Sequence, residues 1–484
     1  MYLEIKNNQT VEKSQIPVVD FKILRADLVK KYTNAQKMRV VQFFVSNDCD
    51  KCEKHKLYCV LANDEFGKLF VTSSYLENSF ESLTPVNPAL HLFEREIFEN
   101  FGIEPVGHPW LKPVRKIENY EFLKSDDTQT HEVPVGPVHA GIIEPGHFRF
   151  LCNSERINHL EIQLGYQHRG VEQLLKTRPT IQLAESICGD SSVAYALTFS
   201  HAMESLSNIK VDKKSAIIRQ IALEMERVAI HVGDLGARAE DIAYKIGSAV
   251  FGVTRTLVIN TMLEICGSRF SKGLIKIGGV NFDIDGEMIE KINATLNEVQ
   301  ARVHKMVKAM NNNASVLSRL EKTAIVSTKH AKEIAMVGMA ARACNVKIDV
   351  RKFDDEDFKI LTAGGGDVHS RFYIRYIEIN RSKEIIEKLL KDLSNEKPFD
   401  HSAVQPFNSQ LAPNSFVTSL TEAWRGELAH TVLTDDNGNI ESYKIKDPSY
   451  NNWLAVAIAN RNGQISNFPV CNKSFDLSYC GFDL

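Results

Sequence analysis

The stretch "SAIIRQIALEMERVAIHVGDLGARAEDIAY" covers residues 215–244. Ile218, Ile221, Met225, Val228, Val232 and Leu235 recur at spacings of three and four, so they fall near one stripe of an α-helix. On the same helix Glu224, Arg227 and His231 stand at i, i+3 and i+7 and project from a common side. An isolated charged triplet of this kind is expected to form a solvated face. Mainly helical patterning extends around this stretch, from residue 156 to residue 345.

Strand signals lie on either side. "RVVQFFVS" (39–46) and "KLYCVLAND" (56–64) predict a hairpin around a polar loop. "PALHLFEREIFENFGIEPVGHP" (88–109) has helical spacing through Leu90, Phe93, Ile97 and Phe98 until Gly102 stops it. "KIENYEFLKSDDTQTHE" (116–132) loses apolar periodicity and reads as a linker. Short antiparallel strands follow in 131–152, around a tight turn at Glu144-Pro145-Gly146-His147. "TAGGGDVHSRFYIRYIEI" (362–379) predicts a glycine turn leading into an alternating strand, Phe372 to Ile379, and no G-K-[ST] follows to make a phosphate loop. Residues 422–448 read as a hairpin turning at Asp436-Asn437-Gly438-Asn439. The expected fold class is α+β: a small α/β domain over 1–118, a linker at 119–133, and a mainly helical domain with short antiparallel sheets over 134–484.

A chain of 484 residues is long enough for two cores. Hydrophobic residues make up 43% and charged residues 25%, which is ordinary globular composition. A net charge of −3 gives no electrostatic reason to expect nucleic acid or an anionic membrane as partner. No apolar run approaches the ~18–20 residues that span a bilayer, and the first ten residues lack the apolar core of a signal peptide, so a soluble, cytoplasmic chain is expected. Nine cysteines without regular spacing do not form a disulfide framework, and Cys152, Cys266 and Cys344 read as buried free thiols. Cys49 and Cys52, with His55 and Cys59 close behind, leave two readings open, a polar turn or a zinc clamp.

"ESICGDSSVAYA" (185–196) carries one cysteine, Cys188, where a C-x-x-C pair would put its second sulfur at Ser191. Here the residues meet a resemblance that runs over nearly the whole chain. "FEREIFENFGIEPVGHPWL" (93–111) resembles the 30-kDa subunit of respiratory complex I. "VGPVHAGIIEPGHFRF" (135–150) is similar to the start of the large subunit of membrane-bound, group 4 [NiFe]-hydrogenases. "GSRFSKGLIKIGGV" (267–280) and "EAWRGELAH" (422–430) are similar to blocks shared by those hydrogenases and the 49-kDa complex I subunit. Their order is that of a fused 30-kDa/49-kDa-like chain, as in formate-hydrogenlyase-type large subunits.

The resemblance implies a nickel–iron centre held by four thiolates, whose softness suits the metal. The matching positions here are Cys188, Ser191, Ser478 and Gly481, so one thiolate remains; Cys480 lies one residue out of register, which in an extended segment turns it to the opposite face. A protonated serine hydroxyl is a poor substitute ligand. The chain ends at Leu484, without the extension that hydrogenase precursors carry for cleavage after nickel insertion. The expectation is an oxidoreductase subunit that is inactive as a hydrogenase and binds no cofactor of its own. What the resemblance leaves is the scaffold of complex I quinone chemistry: electrons reach it from the iron–sulfur cluster of a 20-kDa-like small subunit and pass to an acceptor, of which quinone is the family's class. Membrane ion-translocating subunits would place the chain peripherally on the inner face of the cell membrane. No nucleotide-binding fingerprint is present, so any NAD link belongs to a partner.

By the same resemblance Glu144 and His147 line the cavity as proton carriers, and Arg425 presents a guanidinium to a polar or anionic acceptor. Glu185, Cys188 and Ser191 border the acceptor, with Glu185 standing where the quinone-holding tyrosine is expected. The residues themselves leave other roles open: Glu144 and His147 as caps of a tight turn, Arg425 as a buried ion-pair partner, Cys188 as an inert core thiol. A purely structural subunit, joining a cluster-bearing partner to a membrane ion pump, is the second reading of function.

Overall fold

The computed structural model describes residues 1–33, 38–46, 55–140, 142–397, 407 and 410–484. Strands β1 (Leu3–Ile5) and β2 (Val11–Glu12) precede helix α1 (Phe21–Thr33). β3 (Met38–Ser46) and β4 (His55–Asn63) form the expected hairpin, and β5 (Lys68–Leu76) joins it in an antiparallel sheet ordered β1-β5-β4-β3. β6 (Ser79–Glu81) and β7 (Glu104–Val106) pair in parallel around α2 (His91–Phe101) in the sequence. α2 stops at Gly102, whose φ of 70° closes the helix in the left-handed conformation, as expected. Of the possible zinc ligands, Cys49 and Cys52 lie outside the described residues. Cys59 is buried in the sheet core, where desolvation pushes its thiol far up, and His55 meets the edge of Phe101.

β8 (His131–Val135), β9 (His147–Asn153) and β10 (Arg156–Gln163) make a second antiparallel sheet. The expected linker is not a free connection. The Tyr120 hydroxyl and the Leu123 N–H both donate to Glu161, at 2.9 and 2.7 Å, and β8 begins before residue 133. Apolar periodicity fails there because polar groups anchor the segment.

The helical body comprises α3 (Val171–Thr177), α4 (Ile181–Glu185), α5 (Ser192–Leu206), α6 (Lys213–Asp241) and α7 (Lys245–Cys266). After the small ribbon of β11 (Ile275–Lys276) and β12 (Gly279–Val280) come α8 (Gly286–Asn311), α9 (Ala314–Leu320), α10 (Thr328–Glu333), α11 (Gly338–Ala343) and α12 (Val368–Leu393). α6 starts where Asp212 accepts the Ser215 N–H at 2.9 Å, and its apolar stripe is buried between α7 and α12.

Three expectations are corrected by the fold. Glu224, Arg227 and His231 are not a solvated face: all are buried, with Arg227 donating to the Ala423 and Glu422 carbonyls and His231 paired with Glu378 at 2.9 Å. The predicted strand Phe372–Ile379 is part of α12, begun by Asp367 accepting from the Ser370 N–H at 2.8 Å. Its inner face includes Arg371, Arg375 and Glu378, which are buried and hydrogen-bonded, so hydrophobic alternation misplaced that face. Finally, one helix, α7, is long and apolar enough to cross a membrane by length and composition; it packs between α6 and α8.

β13 (Ser415–Ala423), β14 (Gly426–Thr434) and β15 (Ile440–Lys446) form the last sheet, with the predicted turn closed by Gly438 at φ 81°. Helices α13 (Pro448–Asn460), α14 (Phe468–Phe475) and α15 (Tyr479–Asp483) complete the chain. β2 adds to the edge of β13, with Val11 opposite Phe416, and Val41, Tyr58 and Val60 share a core with Phe416, Leu420 and Leu433. Arg39 crosses the same joint to Glu427 at 2.6 Å. The two parts of the chain thus meet through a common core.

Candidate functional site

Three chain reversals converge on Cys188. The first joins α4 to α5: the Ser191 N–H donates to the Cys188 carbonyl at 3.1 Å, and both side chains are buried. The second is the two-residue turn Trp424-Arg425 between β13 and β14, closed by the pairing of Ala423 with Gly426. The third follows α14, where Asp476 takes a left-handed φ of 50° and Ser478 caps α15 by accepting the Gly481 N–H at 2.8 Å.

At the centre, Cys188 Sγ lies 3.0 Å from Asp190 Oδ1 and 3.2 Å from Ser478 Oγ. Ser478 Oγ is 3.5 Å from Cys480 Sγ. Cys480 is therefore not turned away: Ser478 is the extended N-cap of α15 and folds its hydroxyl over the first turn of that helix, which contains Cys480. Arg425 is a bidentate partner of Asp190, with Nη1–Oδ1 2.6 Å and Nη2–Oδ2 2.8 Å. Its Nε donates to the Asp476 carbonyl at 2.5 Å, and its guanidinium stacks on Trp424 at 3.9 Å. All three guanidinium nitrogens are held by the protein, so the expectation of an arginine offered to an acceptor gives way to the ion-pair alternative. Arg425 Nη1 also reaches Cys188 Sγ at 3.4 Å and Ser191 Oγ at 3.5 Å.

Gly481 sits against Asp447. A Cβ at this position would lie 2.5 Å from Asp447 Oδ2 and 2.8 Å from Ser478 Oγ. Asp447 is held there by the Tyr195 hydroxyl at 2.6 Å and the Ser449 N–H at 2.7 Å.

Residues 248–483 match the family model described as respiratory-chain NADH dehydrogenase, 49 Kd subunit, and residues 20–131 match that of the 30 Kd subunit. An NADH-quinone oxidoreductase subunit of Carboxydothermus hydrogenoformans is 30% identical over 336 residues, covering 67% of this chain and 90% of that protein. The chain belongs to the complex I 49-kDa subunit family. In it, a 30-kDa-type segment is fused ahead of the 49-kDa-type part. Hydrogenase-4 component G of Escherichia coli (strain K12) is 27% identical over 431 residues, 83% of this chain and 75% of that protein. A chain of the membrane-bound sulfane sulfur reductase, an archaeal respiratory membrane complex, shares the fold at a TM-score of 0.67 and 22% identity, over 75% of this chain and all of that one.

Within this 49-kDa-family chain the electrostatics follow from the contacts. Burial works against both charges of the Asp190–Arg425 pair, yet their mutual attraction holds Asp190 below the usual carboxylate range and Arg425 well above its ordinary value. Hydrogen bonding to Cys480, with burial, pushes the Cys188 thiol well up; the same contact holds Cys480 below the ordinary thiol range. Burial raises Asp447 and lifts Glu226 to about 8; Glu226 accepts the Val193 N–H at 2.7 Å at the start of α5.

Glu144 stands half-buried at the rim, close enough for its charge to act on Cys480 and Tyr479. His147 is not brought to the cluster. It opens β9 on the face opposite buried Phe148, its ring against Phe122 at 4.5 Å and its Nε2 3.4 Å from Arg149 Nε. Burial and Arg149 lower its pKa. Glu185 is also apart: it accepts the Gly273 N–H at 2.8 Å, and burial raises its carboxyl. Sequence reasoning missed Asp190, Asp447 and Tyr195. Asp190 lies inside the stretch 185–196, and a carboxylate two residues from the matched Cys188 was the available signal.

Proposed function

We propose that this chain is the electron-delivering large subunit of a membrane-associated, complex I-like oxidoreductase that works without nickel. Electrons arrive from an iron–sulfur cluster in a 20-kDa-like partner and leave to an acceptor beside Cys188. Membrane ion-translocating subunits anchor the complex on the cytoplasmic face. The observation that carries this reading is the filled fourth ligand position. A thiolate at 481 would collide with Asp447, the Ser478 hydroxyl is committed to capping α15, and only Cys188 keeps a sulfur at a family ligand position. This donor set does not fit a centre that needs four soft thiolates.

Elemental analysis of the native complex tests it: nickel is expected far below one equivalent per chain, with no hydrogen uptake. Nickel near one equivalent together with hydrogen uptake overturns the reading.

Quinone is the acceptor class that the NADH-quinone oxidoreductase relatives carry in their name. Reduction of a quinone to its quinol takes up protons, and Glu144 is a half-buried carboxyl whose charge reaches Cys480 and Tyr479. Glu144→Gln is nearly isosteric and removes that carrier. It is expected to leave the complex assembled and slow acceptor reduction at least ~10-fold, within the range that general acid catalysis contributes. Unchanged turnover, with partner-cluster content intact, would instead favour the purely structural subunit. The Asp190 pair supports an orienting role for Arg425, since it neutralises that carboxylate and ties the Trp424-Arg425 turn to the Cys188 turn.

A further inference from the structure

Cys480 is not at a family ligand position, yet the fold brings it to Cys188 across a single hydroxyl: Ser478 Oγ lies 3.2 Å from one sulfur and 3.5 Å from the other. Sequence separation places 291 residues between these thiols, so their meeting is a product of the tertiary fold. The two differ in access. Cys188 is 1% exposed, whereas Cys480 is half-buried and opens at the rim beside Glu144. The other described cysteines, at 59, 152, 266, 344 and 471, are all buried. Asp190 Oδ1, 3.0 Å from Cys188 Sγ, and its partner Arg425, whose Nη1 is 3.4 Å away, hold the buried sulfur in place facing Ser478.

We propose that Cys188 and Cys480 form a redox-active dithiol whose oxidant is a compound containing an S–S bond. The more accessible member attacks. Cys480 thiolate displaces one sulfur of RSSR, forming a Cys480–S–S–R mixed disulfide and releasing RS⁻. Cys188 then attacks Cys480 Sγ; a Cys188–Cys480 disulfide forms, the second RS⁻ leaves, and the Cys188 proton goes with it. In sum two thiols are oxidised to one disulfide and RSSR is reduced by two electrons. Regeneration takes two electrons and two protons, and an iron–sulfur cluster in a partner subunit would supply the electrons. That return step rests on the proposed function above; the thiol–disulfide step does not.

The experiment exploits this independence. Full-length reduced chain is exposed to oxidised glutathione, quenched in acid, alkylated, and its cysteine peptides are mapped by mass spectrometry. The expected product is a Cys188–Cys480 cross-linked peptide, with the five buried thiols still reduced. Cys188→Ser should instead accumulate glutathione on Cys480, and Cys480→Ser should slow any modification of Cys188 at least ~10-fold, because the buried thiol then has no exposed partner. Both thiols remaining reduced in the wild-type chain overturns the proposal, as does equal reactivity of Cys188 in the Cys480→Ser variant. A parallel arm with a water-soluble benzoquinone separates acceptor classes: disulfide formed by the quinone but not by oxidised glutathione overturns the S–S assignment. A cross-link that forms normally while the assembled complex fails to turn over sinks the electron-delivery reading and leaves the dithiol standing.

Discussion

Glu427→Gln is expected to destabilise the folded chain by about 3–5 kcal/mol, seen as a lower denaturant midpoint at unchanged slope. Glu427 is fully buried on β14 and answers two cations: Arg39 donates to it at 2.8 and 2.6 Å, and Lys446 at 2.6 Å. Glutamine keeps the shape but removes the charge, leaving buried Lys446 without its counter-ion beside Arg39, which keeps only Asp64 at 2.8 Å. Adding Lys446→Met should recover part of the loss, since it takes away the stranded charge. A single variant within ~0.5 kcal/mol of wild type, the range of ordinary surface substitutions, would show that the joint is not held by this carboxylate.

The same group sets an acid limit. Burial raises the Glu427 carboxyl, but Arg39 and Lys446 prevail and hold it at about 2, well below its ordinary ~4.3. Because the folded-state pKa is depressed, the stability it contributes is complete above ~4.3 and is lost as pH falls toward 2. Glu96, set between Arg115 and Lys444 at the same joint, is likewise held at about 2. Unfolding should therefore become steep between about pH 4 and 2, and Glu427→Gln should flatten that slope.

Gly338→Ala is the second large effect. Gly338 opens α11 at φ 67°, and a Cβ there would lie 1.9 Å from the Arg425 carbonyl oxygen and 2.3 Å from the Gly426 Cα. The left-handed conformation costs an L-residue about 1–2 kcal/mol, and relieving the backbone clash adds about 1–3 kcal/mol more. A loss of about 2–5 kcal/mol is expected in denaturant unfolding. Gly364→Ala is the control: nothing lies within 4 Å of a Cβ there, and a change under ~0.5 kcal/mol is expected. Equal stability of the two variants would remove the claim that the Gly338–Gly426 approach fixes the Arg425 turn. Folded Gly338→Ala protein should also reduce its acceptor more slowly, because moving that turn draws Arg425 away from Asp190.

Elements with one hydrophobic face and explicit punctuation were legible in the sequence: α6 from its stripe, α2 from its stripe and Gly102, the β14–β15 hairpin from its Asp436–Asn439 turn. Legibility failed where charge is buried. Arg371, Arg375 and Glu378 line the inside of α12, and Glu224, Arg227 and His231 line the inside of α6, so polarity marked the wrong surface. The candidate site was half legible. Family motifs led to Cys188, Ser191, Arg425, Ser478 and Gly481, which the fold does assemble. Cys480 was hidden because the family register pointed to 478 and 481, whereas the Ser478 N-cap holds its hydroxyl over the helix turn that carries Cys480. Asp447 was invisible because its importance comes from a neighbour 34 positions away that has no side chain.

The pairing of Val11 with Phe416 carries a consequence for the order in which the protein is made. During synthesis the amino-terminal strands leave the ribosome some four hundred residues before the hairpin that completes their sheet. Until then β2 has no partner strand, Arg39 lacks Glu427, and the apolar surface of Val41 and Val60 waits uncovered. Contacts of such long range form late and slowly, and exposed strand edges invite association with other chains in the interval. A nascent chain stalled before residue 415 should therefore be a strong client for holding chaperones, and one stalled after residue 446 a weak one.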